Sequence, residues 1–202
     1  MPNPVEAAAN VANGGGEKEG FTLLSVGRLD EQKDHATLIR AFAQIAQEFP
    51  QWHLKIVGEG PLRKQLEGLV EALDLQTRVT IPGVTSAISA EYEAAEIFAI
   101  SSRYEAFGLV TAEAMSHGLP VVGFADCPGT NELIQAGRTG LLVEPGADRV
   151  GSLASALCSL VADPALRQCL GVAGRDAIDN KFSAKYVCDQ WESLLRSMIR
   201  QG

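Results

Sequence analysis

This chain of 202 residues has no stretch approaching the roughly 18 consecutive apolar residues that span a bilayer. Nor does its amino terminus carry a basic region followed by an apolar run, so no leader is expected and a soluble, cytoplasmic protein is. Cationic excess is also missing: 17 Lys and Arg stand against 25 Asp and Glu, a formal net charge of −8. General binders of nucleic-acid backbones carry a basic face, which excludes that class and requires any anion to be gripped locally. The 4 cysteines, Cys127, Cys158, Cys169 and Cys188, show no CxxC spacing and no companion cluster among the 3 histidines. Neither a zinc site nor a disulfide framework is signalled, and reduced thiols fit best. What is present, 46% hydrophobic and 21% charged residues, is an ordinary globular composition able to bury one substantial core.

Residues 1–20 contain two prolines, three consecutive glycines and few large apolar side chains, and read as a linker ahead of one domain over 21–202. From there, apolar runs alternate with helical patterns. FTLLSVG precedes a helix with Leu38, Phe42, Ile45 and Phe49 on one face; WHLKIVG precedes another with Leu62, Leu66, Leu69 and Leu73. RVTIPG leads to a helix around 87–95, IFAIS to one near 109–117, LPVVGF to a short one around 131–136, and GLLVE closes the series. Six strands alternating with helices predict an α/β fold with a doubly wound, mostly parallel six-stranded sheet and helices on both faces. After Asp148 the pattern is purely helical. Val150, Leu153, Leu157 and Leu160 form one stripe, and Pro164 opens a second helix. Ser183 is a candidate N-cap for a last helix whose Val187, Trp191, Leu194 and Met198 need a surface to cover, in this domain or in a second one that the chain lacks. Trp52 and Trp191 read as core or covering residues.

Three strand ends carry candidate chemistry. In an open parallel sheet, ligands bind beyond the carboxyl ends of the strands. In SVGRLDEQKD a strand ends at Gly27, and Arg28 and Lys33 follow; a planar fork and a mobile point charge suit a diphosphate, against the alternative of solvated loop charges beside Asp30, Glu31 and Asp34. VGEGPL turns a strand into a helix through Gly58, Gly60 and Pro61, a turn that needs those residues with or without a ligand. Finally, ISSRYEAFGLVTAEAMSHGLPVV places Glu105 and Glu113 around a Phe107–Gly108 turn. Free N–H groups near Phe107, Gly108 and Leu109 can take phosphate oxygens, and Gly108 lets the backbone approach closely. The flanking carboxylates can accept hydrogen bonds from sugar or ribose hydroxyls, or form a mere surface pair. The loop from Asp126 to Asn131 lies at another strand end and is a further candidate for approaching the same ligand. His35, His53 and His117 lie on different elements, and no catalytic role is expected of them.

Together GRLDEQK, GEGP, RYEAFGLVTAEAMSHGLPVV, DCPGTNELI and GRTGLLVEPG resemble the carboxyl-terminal, donor-binding domain of the retaining glycosyltransferases of family 4, of the GT-B fold. The resemblance covers residues 21 to about 200, and its most specific mark is Glu105, seven residues, Glu113. It implies one Rossmann-like half of a GT-B fold. In the family, residues matching Arg28 and Lys33 hold the diphosphate of a UDP-, GDP- or ADP-sugar. The residue matching Glu105 lies beside the transferred sugar, and that matching Glu113 holds the ribose. Backbone at Phe107, Gly108 and Leu109 contacts sugar or phosphates, and Gly83 and Val84 match a base-binding loop. Transfer is implied to occur with retention at the anomeric carbon, without a metal or cofactor; nothing here resembles a metal-binding Asp-x-Asp. The family usually has glycine where Asp34 stands, which adds a negative charge near the diphosphate.

The acceptor-binding amino-terminal half is expected to be absent, because MPNPV resembles the interdomain linker with an initiator methionine attached. Catalysis by this chain alone is then not expected. The full-length enzyme would serve polysaccharide or glycolipid synthesis and touch a membrane only through the missing half. Two other readings remain open: a GT-B nucleotide-sugar epimerase, which needs an acid/base pair near the sugar, and a non-catalytic assembly or regulatory module.

Overall fold

The computed structural model describes residues 20–199 together with 4, 5, 8 and 10–12. Most of the segment read as a linker lies outside the described residues. The order of elements is β1 Phe21–Val26, α1 His35–Ile45, β2 Trp52–Val57, α2 Arg63–Ala72, β3 Val79–Gly83, α3 Ile88–Ala94 and β4 Ile97–Ala99. There follow α4 Leu109–Ser116, β5 Val121–Phe124, α5 Thr130–Leu133, β6 Leu141–Val143, α6 Arg149–Ala162, α7 Pro164–Lys181 and α8 Ala184–Ile199.

The six strands form one sheet in the order β3-β2-β1-β4-β5-β6, and every neighbouring pair is parallel. Side chains alternate between its faces. Leu23, Ile97 and Val122 enter a core with Leu38, Phe42, Trp52, Leu66 and Leu157, under α1, α2 and α6. Their neighbours Leu24, Phe98 and Val121 enter a second core with Tyr92, Met115, Leu119 and Ile178, under α3, α4 and α7. Burial on both faces explains why the strands read as continuous apolar runs.

Two boundaries differ from the periodicity. Phe49 lies beyond α1, because Pro50 disfavours helical backbone in the residue before it. Leu62 is the N-cap of α2, its N–H drawn to the Leu29 carbonyl at 3.0 Å. α6 and α7 start as expected of capped helices: Asp148 accepts from Gly151 N–H and Asp163 from Leu166 N–H, with Pro164 in the first turn of α7. Gly171 lets α7 press on the α4–β5 turn, since a Cβ there would lie 2.1 Å from the Gly118 carbonyl oxygen.

The last helix differs more. Ser183 Oγ accepts from Tyr186 N–H, as an N-cap does, and Val187 is buried. Trp191, Leu194 and Met198, read as a covering stripe, are 47%, 42% and 63% exposed instead. The second half of the helix thus leaves much of its apolar stripe in water. Among the described amino-terminal residues, Val5 is buried and donates its N–H to the Phe182 carbonyl, and Ala12 N–H donates to the His117 carbonyl.

Candidate functional site

The strand order reverses its direction of growth between β1 and β4, and in open α/β sheets the crevice at such a switch point receives ligands. Both principal candidate loops start there. The β1–α1 loop carries Gly27, Arg28 and Lys33; the β4–α4 loop carries Glu105, Phe107 and Gly108. Polar contacts bind the two together. Ser101 Oγ donates to the Lys33 carbonyl at 2.9 Å, Arg103 N–H to the Gln32 carbonyl at 2.8 Å, and Gln32 Nε2 to the Tyr104 carbonyl at 2.9 Å. At the centre, Lys33 Nζ donates to Glu105 Oε1 at 2.6 Å and Oε2 at 2.8 Å. Ser102 Oγ adds a bond to Oε1 at 2.6 Å.

Arg28, by contrast, projects into solvent with its side chain 72% exposed and its Nε 3.6 Å from Asp30. A flexible guanidinium so placed can swing onto an anion. Gly27, Arg28, Gly58 and Val84 line one cavity of about 360 Å³ together with Val26, Val57, Glu59, Thr85 and Ile88. Lys33 borders Gly27, where a Cβ would lie 3.2 Å from the lysine Cδ. Backbone bonds knit the cavity's rim: Gly27 N–H to Val57, Leu29 N–H to Glu59, and Gly58 N–H to Gly83. A Cβ on Gly58 would sit 1.9 Å from the Gly27 carbonyl oxygen, so glycine is required there by backbone packing whatever binds. Glu59 pairs with Arg63 at 2.6 Å.

Asp34 stands at φ 47, left-handed backbone in which glycine is unstrained. Its carboxylate caps α1 at Thr37 N–H and pairs with Arg103 at 2.7 Å. The charge expected to disfavour a diphosphate is therefore matched by a neighbouring cation. Beside it, His35 is buried and neither ring nitrogen finds a hydrogen-bond partner among the described residues. Burial first, and the Lys33 charge second, push its pKa down to about 4, so the ring is neutral at pH 7.

Gly108, at φ 83, is the N-cap of α4. Thr111 and Ala112 N–H both return to its carbonyl, which leaves the N–H groups of Leu109 and Val110 without a helical acceptor. The Phe107 ring packs on Phe182 at 5.6 Å, so that residue offers backbone rather than side chain. Glu113 lies one turn into α4, half-buried, and accepts from the Tyr92 hydroxyl at 2.9 Å. The Asp126–Asn131 loop buttresses Glu105: Pro128 accepts from Glu105 N–H, and a Cβ on Gly129 would meet the Glu105 carbonyl oxygen at 2.5 Å.

A profile described as glycosyl transferases group 1 matches residues 9–177. The chain belongs to that family. Relatives of this group 1 domain include an exopolysaccharide phosphotransferase of Streptomyces coelicolor, 35% identical over 89% of this chain and 19% of that protein. Another is the lipopolysaccharide core biosynthesis glycosyltransferase LpsD of Rhizobium meliloti, 32% identical over 87% of this chain and 49% of that protein. Among solved structures, sucrose-phosphate synthase of Thermosynechococcus elongatus is 32% identical with a TM-score of 0.85, covering 100% of this chain and 53% of that one. Anabaena HepE in complex with UDP and glucose is 27% identical with a TM-score of 0.80, covering 89% and 49%. The group 1 chain thus spans about half or less of these relatives. The fold is that of one Rossmann-like half of a GT-B glycosyltransferase.

Several supporting residues of this group 1 site gave no sequence signal. Tyr92, Ser102 and Arg103 touch Glu113, Glu105 and Asp34, and Arg149 spans two loops by bonding Asp126 and the Ser102 carbonyl while stacking 3.6 Å over Phe124. Each is an ordinary helix or loop residue until the fold brings its partner near. His117 is buried against Tyr92 and Trp52 lies in the core, whereas Trp191 does not. The described cysteines are free. No helix among the described residues is long and apolar enough to cross a membrane.

Proposed function

We propose that this chain binds the nucleotide diphosphate sugar of a retaining, family 4 type glycosyltransferase. Arg28 and Lys33 take the diphosphate, Glu105 the transferred sugar and Glu113 the ribose. Backbone at Phe107, Gly108 and Leu109 meets the sugar and phosphates, and Gly83 and Val84 the base. The observation that carries this reading is the convergence of Lys33, Glu105 and the cavity-lining Arg28 on the switch point of a group 1 sheet. Family membership supports it, as does the UDP and glucose named in the HepE structure.

In the reaction, the bond from the sugar's anomeric carbon to the diphosphate oxygen breaks and the diphosphate leaves with the electron pair. Cations brought beside the leaving oxygen lower the energy of that charge as it develops. The hydroxyl oxygen of an acceptor, a glycan, lipid or small molecule, then bonds to the same face and passes its proton to the departing diphosphate oxygen. No bound metal or cofactor is assigned a part. The acceptor is read by a second half of the protein, whose docking would also cover the exposed stripe on α8, and this chain by itself binds donor without turnover. The whole enzyme works in the cytoplasm or at its membrane face.

Calorimetric titration with UDP, GDP, ADP and their sugars tests the reading. One base is expected to give saturable heats, and Arg28→Ala to weaken it by roughly tenfold or more, the worth of a charge-assisted phosphate bond. If no nucleotide binds, and Arg28→Ala changes nothing, the proposal is wrong.

A further inference from the structure

A hydrogen bond reaches Glu113 from outside the motif that contains it. Tyr92, in α3, donates its hydroxyl to Glu113 Oε2 at 2.9 Å. Its ring is held on both sides, stacked on His117 at 5.2 Å and tilted against Phe98 at 6.0 Å between centroids. Thus the hydroxyl has little freedom to turn elsewhere. The Val110 carbonyl lies 3.4 Å away. A phenol has one proton to give, and a carboxylate at the shorter distance takes it, because charge-assisted bonds are the stronger ones. Burial first, and the Glu113 charge second, hold the phenol above its ordinary range, so the proton stays on the tyrosine as the donor.

A carboxylate offers two oxygens. With Oε2 engaged by Tyr92, Oε1 is the one left for a ligand, and the carboxylate plane no longer rotates freely. Glu113 also sits one turn into α4, the helix that Gly108 caps. We propose that Tyr92 is a positioning residue, orienting Glu113 so that its free oxygen meets the ribose hydroxyls and discriminates ribose from deoxyribose. This rests on the assignment of Glu113 to the ribose.

The test is calorimetry on the whole chain with whichever of UDP, GDP and ADP binds, and with the 2′,3′-dideoxy counterpart of that nucleotide. Wild type is expected to prefer the ribonucleotide. Tyr92→Phe keeps the ring and its packing, and should narrow that preference by about two- to tenfold, the worth of one hydrogen bond, with dideoxynucleotide affinity unchanged. In a Glu113→Gln background the same substitution should no longer alter the preference. Equal weakening of both nucleotides, or no change in either, overturns this inference and leaves the donor site standing. Failure of all three ribonucleotides to bind wild type overturns the donor site and this inference with it.

Discussion

Lys33 and Glu105 grip each other with side chains only 16% and 8% exposed, so removing one strands the other's charge where water reaches it poorly. Lys33→Ala and Glu105→Ala are each expected to destabilise the chain by about 3 kcal/mol, and Lys33→Met with Glu105→Leu to recover most of that, in urea unfolding at pH 7. His35 makes a separate prediction. Its folded pKa near 4 lies below the ordinary 6.5, so between those values the unfolded chain binds the proton and the native chain does not. Stability contributed by the neutral ring is complete above pH 6.5 and falls as pH drops toward 4, by up to about 3 kcal/mol at about 1.4 kcal/mol per pH unit. His35→Phe should flatten that part of the stability profile measured from pH 7 to pH 4. That Arg28, Lys33 and Glu105 stand in loops after strands was legible, because charged residues follow apolar runs there. The Lys33–Glu105 bond was not, since it joins positions 72 apart and no local pattern records it.

At the scale of elements, the start of α1 shows how a turn residue can replace glycine. Asp34 accepts left-handed backbone, which strains a residue with a Cβ by about 1–2 kcal/mol, and offsets this with a cap and an ion pair. Asp34→Ala keeps the strain and loses both contacts, and is expected to destabilise by about 2 kcal/mol; Asp34→Gly loses the contacts but relieves the strain, and should fall well short of that. Thermal unfolding of the two variants gives the order. Strands and helices were legible from apolar runs and period, as α1 and β2 illustrate. Their ends were less so: Leu62 packs on the same core as Leu66 but stands as the N-cap of α2, its N–H bonded to Leu29 on another loop.

Over the whole molecule, α8 divides into a docked half and an uncovered half. Val187 is buried, and Val187→Ala should lower stability by about 2 kcal/mol. Met198→Ser should change it by no more than about 0.5 kcal/mol, because that side chain is mostly in water within this domain, and Trp191→Ser, which removes a half-covered ring, should fall between the two. Denaturant midpoints of the three variants check the contrast. The stripe's existence was legible in its spacing, but what it covers was not, because period reports that a face is apolar and never what lies opposite.

The sequence by itself determined the class of the fold, the succession of its strands and the residue types at their carboxyl ends, since runs, periods and turn residues are local properties of a chain. Only the tertiary structure decided which loops meet. The order β3-β2-β1-β4-β5-β6 sets β1 beside β4, and with them Lys33 beside Glu105; the shared second core brings Tyr92 of α3 within reach of Glu113 of α4. Those contacts depend on which strands and helices become neighbours, and neighbourhood in space is settled by burying two cores at once rather than by any short stretch of residues.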